Sequence, residues 1–401
     1  MSDGRPEDPS EEDDQLERLA IWGDLDATPI ARREQAEEAQ PKSPKTRLDR
    51  RGLALKIALA FVGVWVFLVA LAFMKDGARG LAPALSAAVD SPLNALGLGW
   101  LGALLVLSGS PVAASSLALF DGGSLTLEQS YAMIVGSRLG ASFVVLVIGT
   151  IYALRRTRTG RRAPVSIGVV ALTMTFITYI PGSLLGWGIL ASGVPASLPL
   201  TPPTVILDAA EALTAPVVGL VELVLRPDAA LPSALLFLVG VGLLLASFRV
   251  VDAFLPDLGA GRDSERARWH VGTWTMFGIG LATALATLSV AVALSLLVPV
   301  VAKGYVKREQ ILPYIAGANI TTLFDTLVVA VLLGGVLGPA MVLSLAAGVT
   351  AWTMVLLLLV YRPMRDAVFR FQAIVLHTRA RLLVFVVVLF AIPTAMLLAG
   401  H

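Results

Sequence analysis

Two ionisable residues stand inside long apolar stretches of this chain, where they could bind an ion or pair with each other. Arg138 lies within the apolar block 131–154, and Asp325 lies within the block 311–336. A guanidinium binds phosphate or carboxylate through two parallel hydrogen bonds, whereas a carboxylate inside the membrane is a candidate proton or cation site. A structural salt bridge between the two residues is the other interpretation, and the sequence leaves these alternatives open.

Hydroxyl and amide side chains accompany small residues and helix breakers in the same blocks. Ser108 and Ser110 flank Gly109 and precede Pro111, so these hydroxyls could donate hydrogen bonds to an anion. Three further residues could coordinate an ion or a substrate, namely Asn319, Thr321 and Thr322. The same residue types also make ordinary cross-helix hydrogen bonds and close helix contacts in membrane bundles, so packing is the alternative at each position.

Catalytic chemistry has little support in the sequence. The chain has no Cys, and its three histidines are scattered at positions 270, 377 and 401, so no thiolate or histidine metal cluster is expected. No nucleophile–base pair and no phosphate-binding loop is present, because no glycine-rich turn follows a strand. We expect a protein that is not an enzyme, has no catalytic residue, no metal site and no organic cofactor, and binds no nucleic acid.

The elements that carry these residues are expected to be membrane helices. The chain is 56% hydrophobic and only 15% charged, against about 25% charged residues in a soluble domain. A run of about 20 apolar residues is typical of a membrane-spanning helix. The apolar blocks are 52–74, 98–120, 131–154, 165–190, 231–248, 271–301, 311–336, 341–361 and 382–399. The fold class is therefore an all-α polytopic membrane protein.

The polar N-terminal segment 1–51 differs from the rest of the chain. Its first forty residues hold thirteen acidic residues against four arginines, a composition typical of disorder. We expect an acidic tail over 1–51 and a transmembrane domain over 52–400. A short apolar cluster around Trp22 could dock a cytoplasmic partner. The segment 195–230, with its prolines and acidic residues, is expected not to span the membrane.

Loops rich in Arg and Lys are expected on the cytoplasmic side. This rule puts the N-terminus in the cytoplasm of a multi-pass protein of the plasma membrane, with further basic loops near 155–162, 249–268 and 362–381. The orientations agree only if 98–120 and 271–301 each enter and leave on the same side. Both blocks are therefore predicted to be re-entrant helical hairpins.

The two halves of the chain match without a gap at an offset of 181 residues. Ten identities join residues between 107 and 147 to their counterparts, among them Glu128-Gln129 with Glu309-Gln310 and Gly136 with Gly317. The predicted orientations place repeat 1, about 98–190, upside down relative to repeat 2, about 271–361. Inverted-topology repeats build many secondary transporters, with the substrate site at the midplane between broken helices.

The segment Gly317-Ala318-Asn319-Ile320-Thr321-Thr322, preceded by Glu309-Gln310, resembles the Gly-Ala-Asn-Ile-Gly-Thr signature of the sodium/phosphate cotransporter family. Members of that family have two inverted repeats, each with a re-entrant hairpin that carries a Gln-Ser-Ser-Ser motif ahead of the Glu-Gln turn. The corresponding residues here are Leu107-Ser108-Gly109-Ser110 and Leu288-Ser289-Val290-Ala291. Leucine replaces both glutamines, and Arg138 stands where the family has the asparagine of the first repeat.

The resemblance implies a secondary transporter that moves phosphate or a related small anion by alternating access, with sodium as a candidate coupling ion. This chain would be a divergent member, with no soluble regulatory helical domain. The predicted binding residues are Ser108, Ser110, Arg138, Ser289, Asn319, Thr321, Thr322 and Asp325. A proton carried by Asp325 is a second coupling mechanism. The alternative function is a non-transporting membrane scaffold of the same fold that recruits a partner through its N-terminal tail.

Overall fold

The computed structural model describes most of the chain beyond the N-terminal segment. The described residues are 50–155, 162–197, 204–225, 230–254, 272–287, 308–333 and 335–399, with isolated positions between 293 and 306. Ser289 and residues 1–49 of the predicted tail lie outside the described residues, and the last two residues of that predicted tail belong to a helix that begins at Arg50. Within them the secondary structure is helical and contains no strand, as the sequence predicted.

Fourteen α-helices occur in the described ranges. Those of the first half are α1 (Arg50–Ala88), α2 (Pro92–Val106), α3 (Ser110–Asp121), α4 (Leu127–Ala141), α5 (Phe143–Arg155) and α6 (Arg162–Ala191). Those of the remainder are α7 (Thr204–Leu225), α8 (Ala230–Phe254), α9 (Thr273–Thr287), α10 (Arg308–Thr321), α11 (Leu323–Leu333), α12 (Leu337–Leu359), α13 (Tyr361–Leu376) and α14 (Arg379–Leu398). A short 3₁₀ turn, Pro195–Ser197, follows α6.

Six helical segments among the described residues are long and apolar enough to cross a membrane. They are Phe61–Leu81, Leu127–Ile151, Val165–Ala191, Arg308–Leu333, Leu337–Leu359 and Arg379–Leu398. The second combines α4 with α5, and the fourth combines α10 with α11. Each exceeds the length that an apolar helix needs to span the hydrocarbon core. The protein is therefore a multi-pass membrane protein.

The first helix extends further than hydropathy indicates. The apolar block ends at Met74, but α1 continues to Ala88 through Lys75, Asp76 and Arg79. These charges do not end the helix because each has a partner: Lys75 pairs with Asp121 at 3.0 Å, and Arg79 pairs with Asp76 at 3.1 Å. Paired charges continue a helix at little cost, whereas isolated charges would mark its exit from the membrane.

The block 98–120 is broken into two short helices. α2 has 15 residues and α3 has 12, so they are about 22 and 18 Å long, well short of a bilayer core about 30 Å thick. Between them Leu107 adopts a left-handed conformation with φ 58°, and Gly109 is the residue before α3. Pro111, at the second position of α3, is tolerated there because that amide needs no helical partner.

α2 packs against α4 through glycine contacts that bring the two backbones together. A Cβ added at Gly99 would lie 2.1 Å from the carbonyl oxygen of Met133, and one at Gly140 would lie 3.1 Å from the amide nitrogen of Leu104. Residue numbers rise together along the two helices, so α2 and α4 run in the same direction. Only glycine permits this separation, as at the small-residue interfaces of membrane helices.

α3 returns along α4 in the opposite direction. Near its start, a Cβ added at Gly109 would lie 2.6 Å from the carbonyl oxygen of Ser137. Near its end, the hydroxyl of Ser116 donates to the carbonyl oxygen of Ser130 at 3.0 Å. Residue numbers rise along α3 while they fall along α4, so α3 runs antiparallel to α4. Because α2 runs parallel to α4, α2 and α3 are antiparallel and form a helical hairpin whose bend lies at residues 107–109.

The central pair of long helices, α6 and α12, also meets through glycine. A Cβ added at Gly182 would lie 2.7 Å from the Cα of Val349, and one at Gly186 would lie 2.9 Å from the Cα of Leu345. The two helices therefore run antiparallel. Gly348 lies directly at this crossing, where an added Cβ would come within 2.3 Å of the backbone of both α6 glycines.

Candidate functional site

Arg138 lies in the last turn of α4 and is 1% exposed. Its Nη1 donates to the carbonyl oxygen of Thr322 at 3.1 Å and to the Thr322 hydroxyl at 3.0 Å. Its Nη2 donates to the hydroxyl of Thr326. The position at a helix C-terminus is favourable for a cation because the carbonyl end of the helix is partially negative. Arg138 therefore joins the end of α4 to the start of α11.

Asp325 lies in the first turn of α11 and is 7% exposed. Its Oδ1 accepts from the Thr326 amide at 2.6 Å and from the Thr326 hydroxyl at 3.0 Å, and lies 3.9 Å from Nη2 of Arg138. A carboxylate suits a helix N-terminus. The sequence offered this pairing as one alternative for the two charges, and the structure contains it as a loose pair without a direct hydrogen bond.

One polar atom on each charged side chain is buried without a hydrogen-bond partner. These atoms are Nε of Arg138 and Oδ2 of Asp325. The Ser110 hydroxyl, at the start of α3, interacts with the Asp325 carboxyl group, although Oδ2 itself remains unpartnered. A buried donor and a buried acceptor without partners are costly. They mark the place where a small polar ligand would gain most by binding.

Helix breaks position both charges. Only Ser142 separates the end of α4 at Ala141 from the start of α5 at Phe143, and only Thr322 separates the end of α10 at Thr321 from the start of α11 at Leu323. The two breaks stand 180 residues apart, one less than the offset of the proposed repeat. Broken helices leave unpaired backbone donors and acceptors inside the membrane, and transporters use such ends to bind ions.

Asn319 lies near the end of α10 and faces α6. Its Nδ2 donates to the hydroxyls of Thr178 at 3.2 Å and Thr175 at 3.4 Å. Its backbone carbonyl oxygen accepts from the hydroxyl of Tyr179 at 2.7 Å. Tyr179 is close enough to interact electrostatically with both Arg138 and Asp325. Asn319 is therefore a neighbour of the charged pair, and α6 is the third wall of the site.

Four residues of the site were not predicted from the sequence, three on α6 and Thr326 on α11. Thr175, Thr178 and Tyr179 stand at spacing i, i+3 and i+4, which places them on one face of a helix. This polar face within an otherwise apolar span was the available signal. Thr326 directly follows Asp325 and bridges it to Arg138, a role that residue order alone does not indicate.

The structure brings four of the eight predicted residues together around the charged pair, with Asn319 beside them. These four are Ser110, Arg138, Thr322 and Asp325. Thr321 lies apart, since its hydroxyl bonds to the carbonyl oxygens of its own helix, including Gly317 at 3.3 Å. Ser108 is half-buried in the bend between α2 and α3, and Ser289 is outside the described residues.

A cavity of about 280 Å³ lies between α3, α11 and the start of α12. Its lining includes Leu117 and Ala330, which stand seven residues beyond Ser110 and five beyond Asp325 on the same two helices. α3 and α11 run side by side in the same direction, and the cavity lies at the end of their interface that is remote from the charged pair. Among the described residues no group of three or more His, Cys, Asp or Glu could hold a metal ion.

Lys75 lies at the end of this interface where α3 and α11 both terminate. Its Nζ donates to the carbonyl oxygen of Leu333, the last residue of α11, at 3.1 Å and lies 3.0 Å from Oδ2 of Asp121, the last residue of α3. A cation at the carbonyl ends of two helices is electrostatically favourable. Lys75 thus holds together the ends of the two helices that carry Ser110 and Asp325.

Comparison of the chain with protein-family models, curated proteins and solved structures found no match.

Proposed function

We propose that this protein is a secondary transporter that moves a small anion, phosphate or a related one, by alternating access. The observation that carries the proposal is the buried guanidinium of Arg138, held between α4 of the first half and α11 of the second. An intramembrane arginine at the junction of two helix breaks is a functional site by default.

Equivalent glycine contacts in the two halves support the proposed repeat. In the first half, a Cβ added at Gly136 would lie 2.1 Å from the carbonyl oxygen of Leu96. In the second half, one added at Gly317 would lie 2.2 Å from the carbonyl oxygen of Phe277. Both members of the second pair stand 181 residues after those of the first. The contact between Gly280 and Tyr314 likewise repeats that between Gly99 and Met133.

Helix directions support opposite orientations of the two repeats, and the first half supplies one step. Tyr131 in α4 donates to the carbonyl oxygen of Ser183 at 2.7 Å, and the hydroxyls of Ser142 and Thr175 lie 2.6 Å apart. Partner numbers fall as residue numbers rise, so α4 and α5 run antiparallel to α6.

The second half supplies the remaining steps. Tyr361, which follows α12, donates to the carbonyl oxygen of Glu309 at 2.7 Å, while Gly338 and Ala330 meet at the other end. α10 and α11 therefore run antiparallel to α12, which is itself antiparallel to α6. The direction reverses from α4–α5 to α6, from α6 to α12, and from α12 to α10–α11. After these three reversals α4–α5 and α10–α11 point in opposite directions, as an inverted-topology transporter requires. Under this proposal α2–α3 is a re-entrant hairpin, and α9 begins its counterpart.

The chemistry of the site fits an anion that competes with Asp325 for Arg138. The pair is 3.9 Å apart, longer than the 2.7–2.9 Å typical of a charge-assisted hydrogen bond. A phosphate or carboxylate could take both nitrogen donors of the guanidinium fork while Ser110 and Thr326 donate hydroxyl hydrogen bonds. Sodium coupling would use the oxygens of Asp325 and Thr322, and proton coupling would use Asp325 alone.

Uptake by proteoliposomes tests the proposal. We expect radiolabelled phosphate, or another small anion from a panel, to accumulate in wild-type vesicles and not in those carrying Arg138→Ala. Arg362→Ala removes an exposed arginine of α13 and should leave uptake unchanged. Comparison with and without a sodium or proton gradient assigns the coupling ion. The same experiment with Asp325→Asn separates a coupling role for that residue from a purely structural one.

The scaffold alternative has one observation in its favour. Arg138 and Asp325 are both buried and within ion-pair distance, an arrangement that also serves as internal cross-bracing. Absence of uptake for every anion of the panel, together with a partner that co-purifies only when residues 1–51 are present, would favour the scaffold. The proposed plasma-membrane location and cytoplasmic N-terminus apply to both functions.

A further inference from the structure

Helix α13 differs from the spanning helices in its distribution of polar residues. It connects α12 to α14, has 16 residues, and buries one face against the bundle through Met364, Val368, Phe369, Gln372, Val375 and Leu376. At about 24 Å it is too short to cross the membrane upright. Since the helices on either side of it are both candidate spans, α13 lies along one surface of the bundle.

The exposed face of α13 has an apolar flank and a basic flank. At 100° per residue, Phe371 and Ile374 fall on one side, and they are 39% and 56% exposed. Arg362 and Arg370 are exposed on the other side, and no ion pair within the described part of the chain involves them. Asp366 lies between them on this side and pairs with Arg365 at 2.9 Å, so the flank remains net basic. A helix with one apolar and one basic flank lies in the plane of the membrane interface, where the basic flank meets lipid headgroups.

The start of α14 adds two further arginines to this surface. Arg379 and Arg381 occupy its first turn, are exposed, and face no acidic residue in that turn. Cations at a helix N-terminus oppose the helix dipole, so this end of α14 has an uncompensated positive potential. α14 is only 11% buried, and its sides therefore face lipid.

An apolar crevice begins directly below these arginines. It has a volume of about 280 Å³ and lies between α14, α13, α6 and α2. Its walls include Phe371, Phe385, Leu389, Ile392, Phe176 and Trp100. Arg381, Phe385, Leu389 and Ile392 stand at spacing i, i+4, i+8 and i+11, so one stripe of α14 runs from a basic residue at the interface into the crevice.

We propose that this surface is a binding site for one anionic phospholipid. The phosphate headgroup would bind at the start of α14 through Arg379 and Arg381, and one acyl chain would lie in the crevice between Phe385 and Trp100. Zwitterionic lipids carry the same chains, so the crevice alone gives no headgroup preference. The preference comes from the arginines, because clustered basic residues at the membrane surface attract anionic lipid.

Trp100 provides a reporter at the deep end of the crevice. Its indole ring packs against Phe176 with centroids 5.3 Å apart, and its Nε1 is buried without a hydrogen-bond partner. An acyl chain brominated near its middle would quench the fluorescence of Trp100 when it occupies the crevice. The chain has seven tryptophans, so the signal of Trp100 is obtained as the difference between the wild-type protein and Trp100→Phe.

The test titrates brominated phosphatidylglycerol and, separately, brominated phosphatidylcholine into phosphatidylcholine vesicles that contain the full chain. We expect half-quenching of the Trp100 signal at a mole fraction at least about fivefold lower for the anionic lipid. The double variant Arg379→Gln/Arg381→Gln should abolish that difference. Arg362→Gln, at the far end of α13, also removes one exposed charge and is the matched control. This variant should keep the difference between the two lipids.

Two results would overturn the proposal. Equal quenching curves for the two lipids would show a lipid-filled crevice without headgroup selection. An anionic preference that survives in Arg379→Gln/Arg381→Gln would place the lipid headgroup elsewhere. Retained quenching by phosphatidylcholine in the double variant verifies that it still folds, so loss of the anionic preference cannot be confused with unfolding.

Discussion

Arg138 and Asp325 come from opposite halves of the chain, and their charged groups lie 3.9 Å apart in the interior of the helix bundle. Thr326 links them, since its hydroxyl accepts from Arg138 and donates to Asp325. Each charge also sits at a helix end of favourable polarity, Arg138 at the C-terminus of α4 and Asp325 at the N-terminus of α11. The arrangement neutralises the two charges without a close ion pair and leaves Nε of Arg138 and Oδ2 of Asp325 without a partner.

Removal of one charge should destabilise the protein more than removal of both. Arg138→Gln or Asp325→Asn leaves a buried charge unpaired, at a cost of about 3–5 kcal/mol, whereas the double variant restores neutrality. We expect the apparent melting temperature in detergent to fall in both single variants and to recover partly in the double variant. Additive effects in this double-mutant cycle would mean that the two residues are not coupled.

Close helix contacts at equivalent glycines should make Gly136→Ala and Gly317→Ala similarly destabilising. The added methyl groups would meet carbonyl oxygens at 2.1 and 2.2 Å, so the helices must separate, and overpacking of this kind costs about 1–3 kcal/mol. Gly278→Ala in α9 is the matched control, because nothing lies within 4 Å of its Cβ position. Folded yield and melting temperature in detergent measure the effect, and equal behaviour of all three variants would contradict it.

Cysteine labelling should reveal the orientation of the two repeats. The chain has no native cysteine, so Glu128→Cys and Glu309→Cys can each be introduced alone. Both positions are exposed and stand 181 residues apart. We expect an impermeant thiol reagent to modify them from opposite sides of the membrane.

The same reagent tests the first hairpin. Asp90→Cys and Glu128→Cys stand before α2 and after α3, and a re-entrant hairpin requires that both react from one side. Reaction from different sides would mean that the block 98–120 crosses the membrane, and the proposed transporter topology would be wrong.

Loss of Lys75 should open the cavity between α3 and α11. Lys75→Met removes the contacts with Asp121 and Leu333, and we expect the thiol of Ala330→Cys, on the cavity wall, to react faster with a small polar reagent. Arg79→Met is the control, since Arg79 lies one turn away and pairs with Asp76 within its own helix. An unchanged reaction rate in Lys75→Met would show that the lysine does not restrict access.

Hydropathy predicted the helical, multi-pass architecture, whereas the inverted repeat stays a prediction. The repeat predicted equivalent positions for Gly136 and Gly317 because a residue without a side chain is needed wherever two helix backbones meet. α13 was not foreseen, since its arginines made 362–381 resemble a loop. The helix became evident only from its burial pattern, with Met364, Val368 and Gln372 spaced four residues apart on the covered face.

The site was predictable in its charges and not in its partners. Arg138 and Asp325 stood out because ionisable residues are rare in apolar blocks. Thr322 binds Arg138 through its carbonyl oxygen as well as its hydroxyl, and backbone acceptors cannot be inferred from residue type. Tyr179 was missed because a tyrosine within a span is commonplace, and only the crossing of α6 with α10 brings it to Asn319.

The division of the buried charges between the two halves has a consequence for biogenesis. A fragment that ended after α6 would carry an unneutralised arginine into the lipid, and one that began at α9 would carry an unneutralised aspartate. Neither half is electrically complete, so each half is expected to depend on the other for stable insertion into the membrane. When the two halves are co-expressed as separate polypeptides, each should reach the membrane in higher yield than when it is expressed alone. Arg138→Gln in one half together with Asp325→Asn in the other should remove that mutual dependence.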